Sequence, residues 1–313
     1  MLKFTNTTLL EITTLLEEKI DNSDTHDIIE FEVLNPDIES SMYSGNIINI
    51  NNQDYIYRNY KAWTDLANIL QCKMLTPLFI SDSLVLIRYQ KLNQDSSFHK
   101  DMNDVALKYG ADSTFSKIHK MEEPSFFHYY KQALENVKLN KRLRILNLGV
   151  NSGDEFELIS ELAQDFDNLE LIGIDYCDSA IQIAKTKFKN MKNISFYTHD
   201  ITDLKSLGLG TFDLIISIGT LQSSNLDFNP LFMSIVQNQL NKDGAMILGF
   251  PNCRWLDGAM IYGAYAKHYS FSEMSNVYKD VVFCKKYLQQ KKFRVSITGR
   301  EYIFLTATSI RKA

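Results

Sequence analysis

In the first part of the chain the apolar positions change period several times. TLLEITTLLEEKI (8–20) sets Leu9, Ile12, Leu15, Leu16 and Ile20 at helical spacing and predicts an amphipathic helix with these side chains on one face. IIEFEVL, NIINI and DYIYRNY are short β-type runs, and Asn51-Asn52 supplies a turn between the last two. AWTDLANILQCKML returns to helical spacing, and LVLIRYQKL is the strongest strand of this part. The polar stretch NQDSSFHKDMNDVALKYGADS then reads as a linker around a short helix. The pattern predicts a smaller α+β domain over 1–118 and a second domain over 119–313.

In the second part, Pro124 opens SFFHYYKQALENVKL, an aromatic-rich helix with Glu123 or Ser125 near its start. Packing against a sheet is the expected use of most of its rings, Phe126, Phe127, Tyr129 and Tyr130. From Arg142 the rhythm becomes regular. RLRILNLGV, LELIGID, ISFYTHD, FDLIISIG and AMILGF read as strands, interleaved with the helices SGDEFELISELAQDF, SAIQIAKTKFKNM and PLFMSIVQNQLN. Such alternation implies βαβ units, hence a parallel sheet with helices on both faces. A helix, NVYKDVVFCKKYLQQKKF, and a hairpin, RVSITGREYIFLTATSI around Gly299, close the chain. The hairpin implies an antiparallel final strand.

Composition fits a folded protein of one large or two ordinary domains: 313 residues, 45% hydrophobic and 23% charged. No apolar run approaches the roughly 18 to 20 residues that span a bilayer. The amino terminus lacks the basic start and apolar stretch of a signal peptide, so a cytoplasmic protein with no membrane partner is expected. Cys72, Cys177, Cys253 and Cys284 are scattered, and His99, His119 and His128 have no ligand-like spacing. Neither a zinc site nor a disulfide framework is expected. The net charge of −5 hides an asymmetry. Residues 1–60 hold eleven acids against three bases, and residues 279–313 hold nine bases against two acids. Charge runs usually face solvent. As a binding face, the basic end suits RNA or an anionic small molecule.

In open α/β sheets, ligands bind beyond the carboxyl ends of the strands, where strand order reverses. That rule selects the loop Leu148-Gly149-Val150-Asn151-Ser152-Gly153. Gly149 and Gly153 remove side chains where the backbone must turn and approach a ligand, and Asn151 tolerates positive φ. Asp175 ends the second strand, 26 residues after Gly149, where a carboxylate accepts from both ribose hydroxyls. Asp200 closes the third strand run, placed to meet an adenine amine, with Ile201 beside it for the base. Acids at strand ends also cap helices and finish turns. That reading stands beside the functional one for Asp200 and is preferred for Asp213. Ser217-Ile218-Gly219-Thr220 follows the fourth strand and would lie beside the reacting end of the ligand.

ILNLGVNSGDEFELI, GIDYCDSAIQIAK, SFYTHDITDL, FDLIISIGTLQ and LNKDGAMILGFPN resemble the successive motifs of class I S-adenosylmethionine-dependent methyltransferases, over roughly 125–313. The resemblance implies an α/β, Rossmann-like seven-stranded sheet with an antiparallel last strand, and S-adenosylmethionine as cofactor. It also implies that Gly149 and Gly153 line the methionine part, Asp175 holds the ribose and Asp200 reads the adenine; Tyr176, beside Asp175, is expected among the cofactor-binding residues. Two positions depart from the family pattern. Asn147 stands two residues before the first glycine, where the family has an acid, and Asn151 replaces the middle glycine. Asn147 can bond the ligand's amino group but gives up a charge-assisted bond. The N-terminal 118 residues carry none of these motifs and are expected to recognise the acceptor.

The expected function is methyl transfer to an acceptor the sequence does not identify, either RNA such as tRNA or a small molecule. Phe250 to Trp255, then Tyr262, Tyr265, His268 and Tyr269, follow the fifth strand and are expected to supply acceptor-binding groups. His268 is the candidate base, with Tyr265 beside it in the catalytic set, and Arg254 suits an anionic group. Cys253 follows the fifth strand, and a passive thiol is expected there. No Asn-Pro-Pro-Tyr element follows the fourth strand, so nucleobase amine methylation by that route is unsupported. Two rival readings are an NAD-dependent oxidoreductase, which the missing third glycine disfavours, and a non-catalytic module sensing the cofactor, which Asn147 and Asn151 keep open.

Overall fold

The computed structural model describes residues 1–96, 109–110, 113–223, 225–264 and 273–311. Contacts divide the chain into two units, Met1–Ser97 with Trp255–Ile261, and Phe98–Arg254 with Tyr262–Ala313.

The first unit holds β1 (Leu2–Lys3), α1 (Leu9–Asp21), β2 (Ile28–Leu34), β3 (Ile47–Ile50), β4 (Gln53–Ile56), α2 (Tyr60–Ile69), β5 (Cys72–Ser81) and β6 (Leu84–Lys91). Its sheet has the order β1-β2-β6-β5, with β1 parallel to β2 and the other pairs antiparallel. Thr8 opens α1 with a capping box, its hydroxyl accepting from the Glu11 N–H while the Glu11 carboxylate accepts from the Thr8 N–H. Ile12, Leu16 and Ile20 are buried in one cluster with Phe31, Trp63 and Tyr89. Leu9 and Leu15 are exposed, so the apolar stripe is narrower than the spacing predicts. Asn51 and Asn52 both take positive φ and turn β3 back onto β4.

One predicted element is corrected. AWTDLANILQCKML is not one helix. The helix stops at Ile69, Gln71 turns the chain at φ 54°, and Cys72 begins β5, paired with β6 from Cys72↔Lys91. Leu66, Leu70 and Met74 keep four-residue spacing through the break, so periodicity hides it.

The second unit contains α3 (Pro124–Asn136), β7 (Arg144–Leu148), α4 (Asp154–Leu162), β8 (Glu170–Asp175), α5 (Asp178–Lys187), β9 (Ile194–Thr198), β10 (Phe212–Ile218), α6 (Phe228–Asn238) and β11 (Leu240–Pro251). A short hairpin of β12 (Cys253–Leu256) and β13 (Ala259–Tyr262) follows, unpredicted from sequence, and its Trp255–Ile261 stretch groups with the first unit. α7 (Ser275–Gln290), β14 (Phe293–Gly299) and β15 (Tyr302–Ser309) end the chain. The seven-stranded sheet has the order β14-β15-β11-β10-β7-β8-β9, with β15 antiparallel to β11 and the central strands parallel. This is the expected Rossmann-like sheet with an antiparallel last strand.

Both sheet faces are covered. On one, Leu146, Leu148, Ile172, Ile174, Met246 and Leu248 share a core with Phe232 of α6 and Cys284 of α7. On the other, Phe126 of α3 meets Phe304 with ring centroids 5.5 Å apart, and Phe156 of α4 meets Phe196 at 5.9 Å. Phe126 and Tyr130 are buried, which is the packing expected of the aromatic helix. The chain runs outward from β7 through β8 to β9, then returns to β10 on the other side of β7. The reversal places the ligand crevice at the carboxyl ends of β7, β8 and β10. Among the described residues, no helix is long and apolar enough to cross a membrane.

Candidate functional site

β7 delivers the chain to a loop in which Gly149, Asn151 and Gly153 all have positive φ, at 76°, 45° and 86°. The glycines also answer to close packing. A Cβ on Gly149 would collide with the Thr220 side chain, and one on Gly153 would lie 2.7 Å from the Phe188 ring. At Gly149 the near neighbour is therefore the loop after β10, where the sequence suggests a ligand.

Asp175, at the end of β8, turns toward this loop. One carboxylate oxygen accepts from the Asn151 backbone N–H at 2.9 Å, and the other from the Cys177 N–H at 2.9 Å. Burial pushes this carboxyl above the usual carboxylate range, while backbone N–H groups led by that of Cys177 pull it back only in part. The Asn151 side chain donates to the Tyr109 carbonyl at 3.2 Å. Burial raises the Tyr109 phenol, and the nearby Asp175 charge adds to that.

Asn147 is buried, and its amide donates to Glu155 Oε2 at 3.4 Å. Glu155 lies in the first turn of α4 and is only 4% exposed. Burial raises its carboxyl above the usual range, and the Lys120 charge opposes the rise. The Lys120 ammonium stands 3.7 Å from Glu155 Oε1, 5.9 Å from the Phe115 ring centroid and 5.6 Å from that of Phe126.

Among the described residues, three buried polar atoms lack hydrogen-bond partners at or just past the carboxyl ends of β10 and β11: Ser217 Oγ, Gln222 Oε1 and Asn252 Oδ1. Leaving such groups unpaired costs about 1–3 kcal/mol each, so a polar ligand seated there would relieve the cost. Gly219 holds the turn after β10 through its N–H, which donates to the Gly249 carbonyl at 2.8 Å.

Other predicted residues serve elsewhere. Asp200 is exposed and caps the turn Ile201–Leu207, accepting from the Thr202 N–H and hydroxyl at 2.8 Å each. Ile201 is buried in the core shared with Leu146 and Phe232, where the sequence reading had it packing on a base. Tyr176 is 60% exposed. Asp213 lies at the opposite end of the sheet, accepting from the backbone N–H groups of Leu143 and Arg144. Tyr262 is half-exposed, its hydroxyl 3.8 Å from Met274 Sδ, and Arg254 is half-buried at the start of β12. Tyr265, His268, Tyr269 and His99 lie outside the described residues. A cavity of about 940 Å³ opens beside Asn151, Ser152, Asp154, His119 and Lys187, and Asp175 does not line it. No metal-ligating cluster occurs among the described residues.

The sequence reading missed Glu155 and Lys120. For Glu155 a signal was present: three and four residues on stand Leu158 and Ile159, so a charged group sits on the apolar face of its helix. Lys120 carried no such mark, since its partners are remote in sequence.

A family model described as a methyltransferase domain matches residues 139–296, just over half of the chain. The chain belongs to this family. Its fold is the sheet described above. Among solved structures, the chain is similar to an S-adenosylmethionine-dependent methyltransferase from Aquifex aeolicus, at 13% identity over 62% of this chain and 98% of that one, TM-score 0.44. N-methyltransferase NodS from Bradyrhizobium japonicum WM9, solved with S-adenosyl-L-homocysteine, matches at 16% identity over 60% and 89%, TM-score 0.43. Magnesium protoporphyrin IX methyltransferase from Synechocystis PCC 6803, solved with bound cofactor, matches at 14% over 67% and 99%, TM-score 0.42. No curated protein matches the chain.

Proposed function

We propose that this protein transfers the methyl group of S-adenosylmethionine to a small molecule. The observation that carries the cofactor half is the Asp175 carboxylate, fixed at the end of β8 by the backbone N–H groups of Asn151 and Cys177. A carboxylate offers about four lone-pair directions, and the backbone N–H groups of Asn151, Tyr176 and Cys177 draw on up to three of them, so at least one is left for a ribose hydroxyl. Bound there, the cofactor supplies a methyl group already activated by positive sulfur. The chain's own part is to align an acceptor and exclude water. Ser217, Gln222 and Asn252 offer polar atoms for that alignment at the same end of the sheet.

The placement of three of the nine basic residues over 279–313 argues against RNA as acceptor. Phe293 pairs with Ser309, and Thr308 pairs with Ala245 near the start of β11. The Arg311 guanidinium donates to the carbonyls of Lys242 and Lys291. Lys291, Lys292 and Arg311 thus gather at the amino ends of the parallel strands, opposite the glycine loop, whereas Arg300 lies at the carboxyl end, its carbonyl accepting from the Asn252 amide.

Labelled-methyl S-adenosylmethionine, incubated with the protein and separated small-molecule, RNA and protein fractions of a cell extract, tests this reading. Label is expected in the small-molecule fraction. Label in RNA would overturn the acceptor class, and cofactor binding without transfer to any fraction would favour the sensor.

A further inference from the structure

A buried carboxylate beside the ligand end of β7 is held by a loosely placed internal cation. Glu155 is almost fully buried, and its carboxylate accepts from the Asn147 amide and from its own backbone N–H. Its charge partner is Lys120, carried on the short turn Lys120–Glu122 that precedes α3. At 3.7 Å the pair is within ion-pair range but too long for a good hydrogen bond. The ammonium also faces the Phe115 and Phe126 rings, which attract a cation. A carboxylate and two aromatic rings therefore form a receptor for an alkylammonium group, and the chain fills it with one of its own. The Lys120 charge is also felt at Asp154 and Asp175. The receptor thus stands near both the start of α4 and the acid assigned to the ribose.

S-adenosylmethionine carries an α-ammonium at the end remote from its adenine. We propose that Glu155 binds this ammonium and that Lys120 holds its place until the cofactor displaces it. The inference rests on the reading that the site binds this cofactor. It explains how a chain with Asn147 on β7 still offers a negative charge there: the carboxylate comes from the helix, and Asn147 orients it.

The test compares two ligands by calorimetric titration of the full chain. S-adenosylhomocysteine has the amino-acid end, and 5′-methylthioadenosine lacks it. Glu155→Gln is expected to weaken S-adenosylhomocysteine by about tenfold or more, the scale of a lost charged hydrogen bond, and to leave methylthioadenosine within about twofold. Lys120→Met strands the buried Glu155 carboxylate in the free protein only. It should therefore tighten S-adenosylhomocysteine by about threefold or more relative to methylthioadenosine, whose ribose acid, Asp175, also feels the Lys120 charge. Equal loss of both ligands in Glu155→Gln, or no loss of either, would overturn the assignment. So would S-adenosylhomocysteine binding weakened relative to methylthioadenosine in Lys120→Met. If Glu155→Gln alone fails to fold, the double variant Glu155→Gln/Lys120→Met removes both charges, and the same selective loss is expected of it. A wild-type chain that binds neither ligand would instead overturn the cofactor reading, and this inference with it.

Discussion

Single side chains at the ends of β7, β8 and β11 set the chemistry of the site. Cys253 is buried just past β11, and burial pushes its thiol up to about 12, with the Glu301 charge adding to the rise. At pH 8 only about one molecule in ten thousand then carries the thiolate, the form that reacts. Iodoacetamide at that pH should leave Cys253 largely unmodified in the folded protein and label it readily in urea, as read by peptide mass spectrometry. Rapid labelling of the folded chain would show a reactive thiol instead. Asp175 and Asn151 were legible in the sequence because each follows from local constraint: an acid at a strand end, and a residue that tolerates positive φ between two glycines. Glu155 was legible only as an oddity on an apolar helix face. Lys120 was not legible, because no local rule links it to α4 from 35 positions earlier in the chain.

Helices and strands position those side chains through packing that can be tested one contact at a time. Phe156 of α4 is fully buried and sits against Phe196 of β9. Phe156→Ala should cost about 3–5 kcal/mol of stability, measured by urea unfolding, because it leaves a cavity between helix and sheet. The capping box of α1 has a smaller effect. Thr8→Ala should cost about 1 kcal/mol, and a change near zero would show that the cap is not needed. Most elements were legible from period alone, since a strand buried on both faces reads as a short apolar run and a covering helix as a three-to-four repeat. Two were not. The α2–β5 junction kept helical spacing across a turn that depends on Gln71 taking positive φ. The β12–β13 hairpin follows β11 with no alternation to mark it.

At the scale of the molecule, the order β14-β15-β11-β10-β7-β8-β9 gathers the polar groups at one end of the sheet and Lys291, Lys292 and Arg311 at the other. A buried acid at the site end also couples stability to pH. Burial holds the Glu155 carboxyl above the ordinary glutamate value of 4.5, so upward from that value the folded chain keeps a proton the unfolded chain has released. Stability contributed by this group therefore falls as pH rises through the window. Glu155→Gln cannot ionise and should flatten the melting temperature against pH from about 4.5 upward. An unchanged slope would show that Glu155 does not titrate differently on folding. The central claim is that adenosine seats at the ends of β7 and β8 with Asp175 holding its sugar. Calorimetric titration of wild type and Asp175→Asn with S-adenosylmethionine and with NAD tests it most directly. Binding of S-adenosylmethionine alone is expected, weakened about tenfold or more in Asp175→Asn. Equal affinity in the two proteins, or binding of NAD in its place, would contradict it.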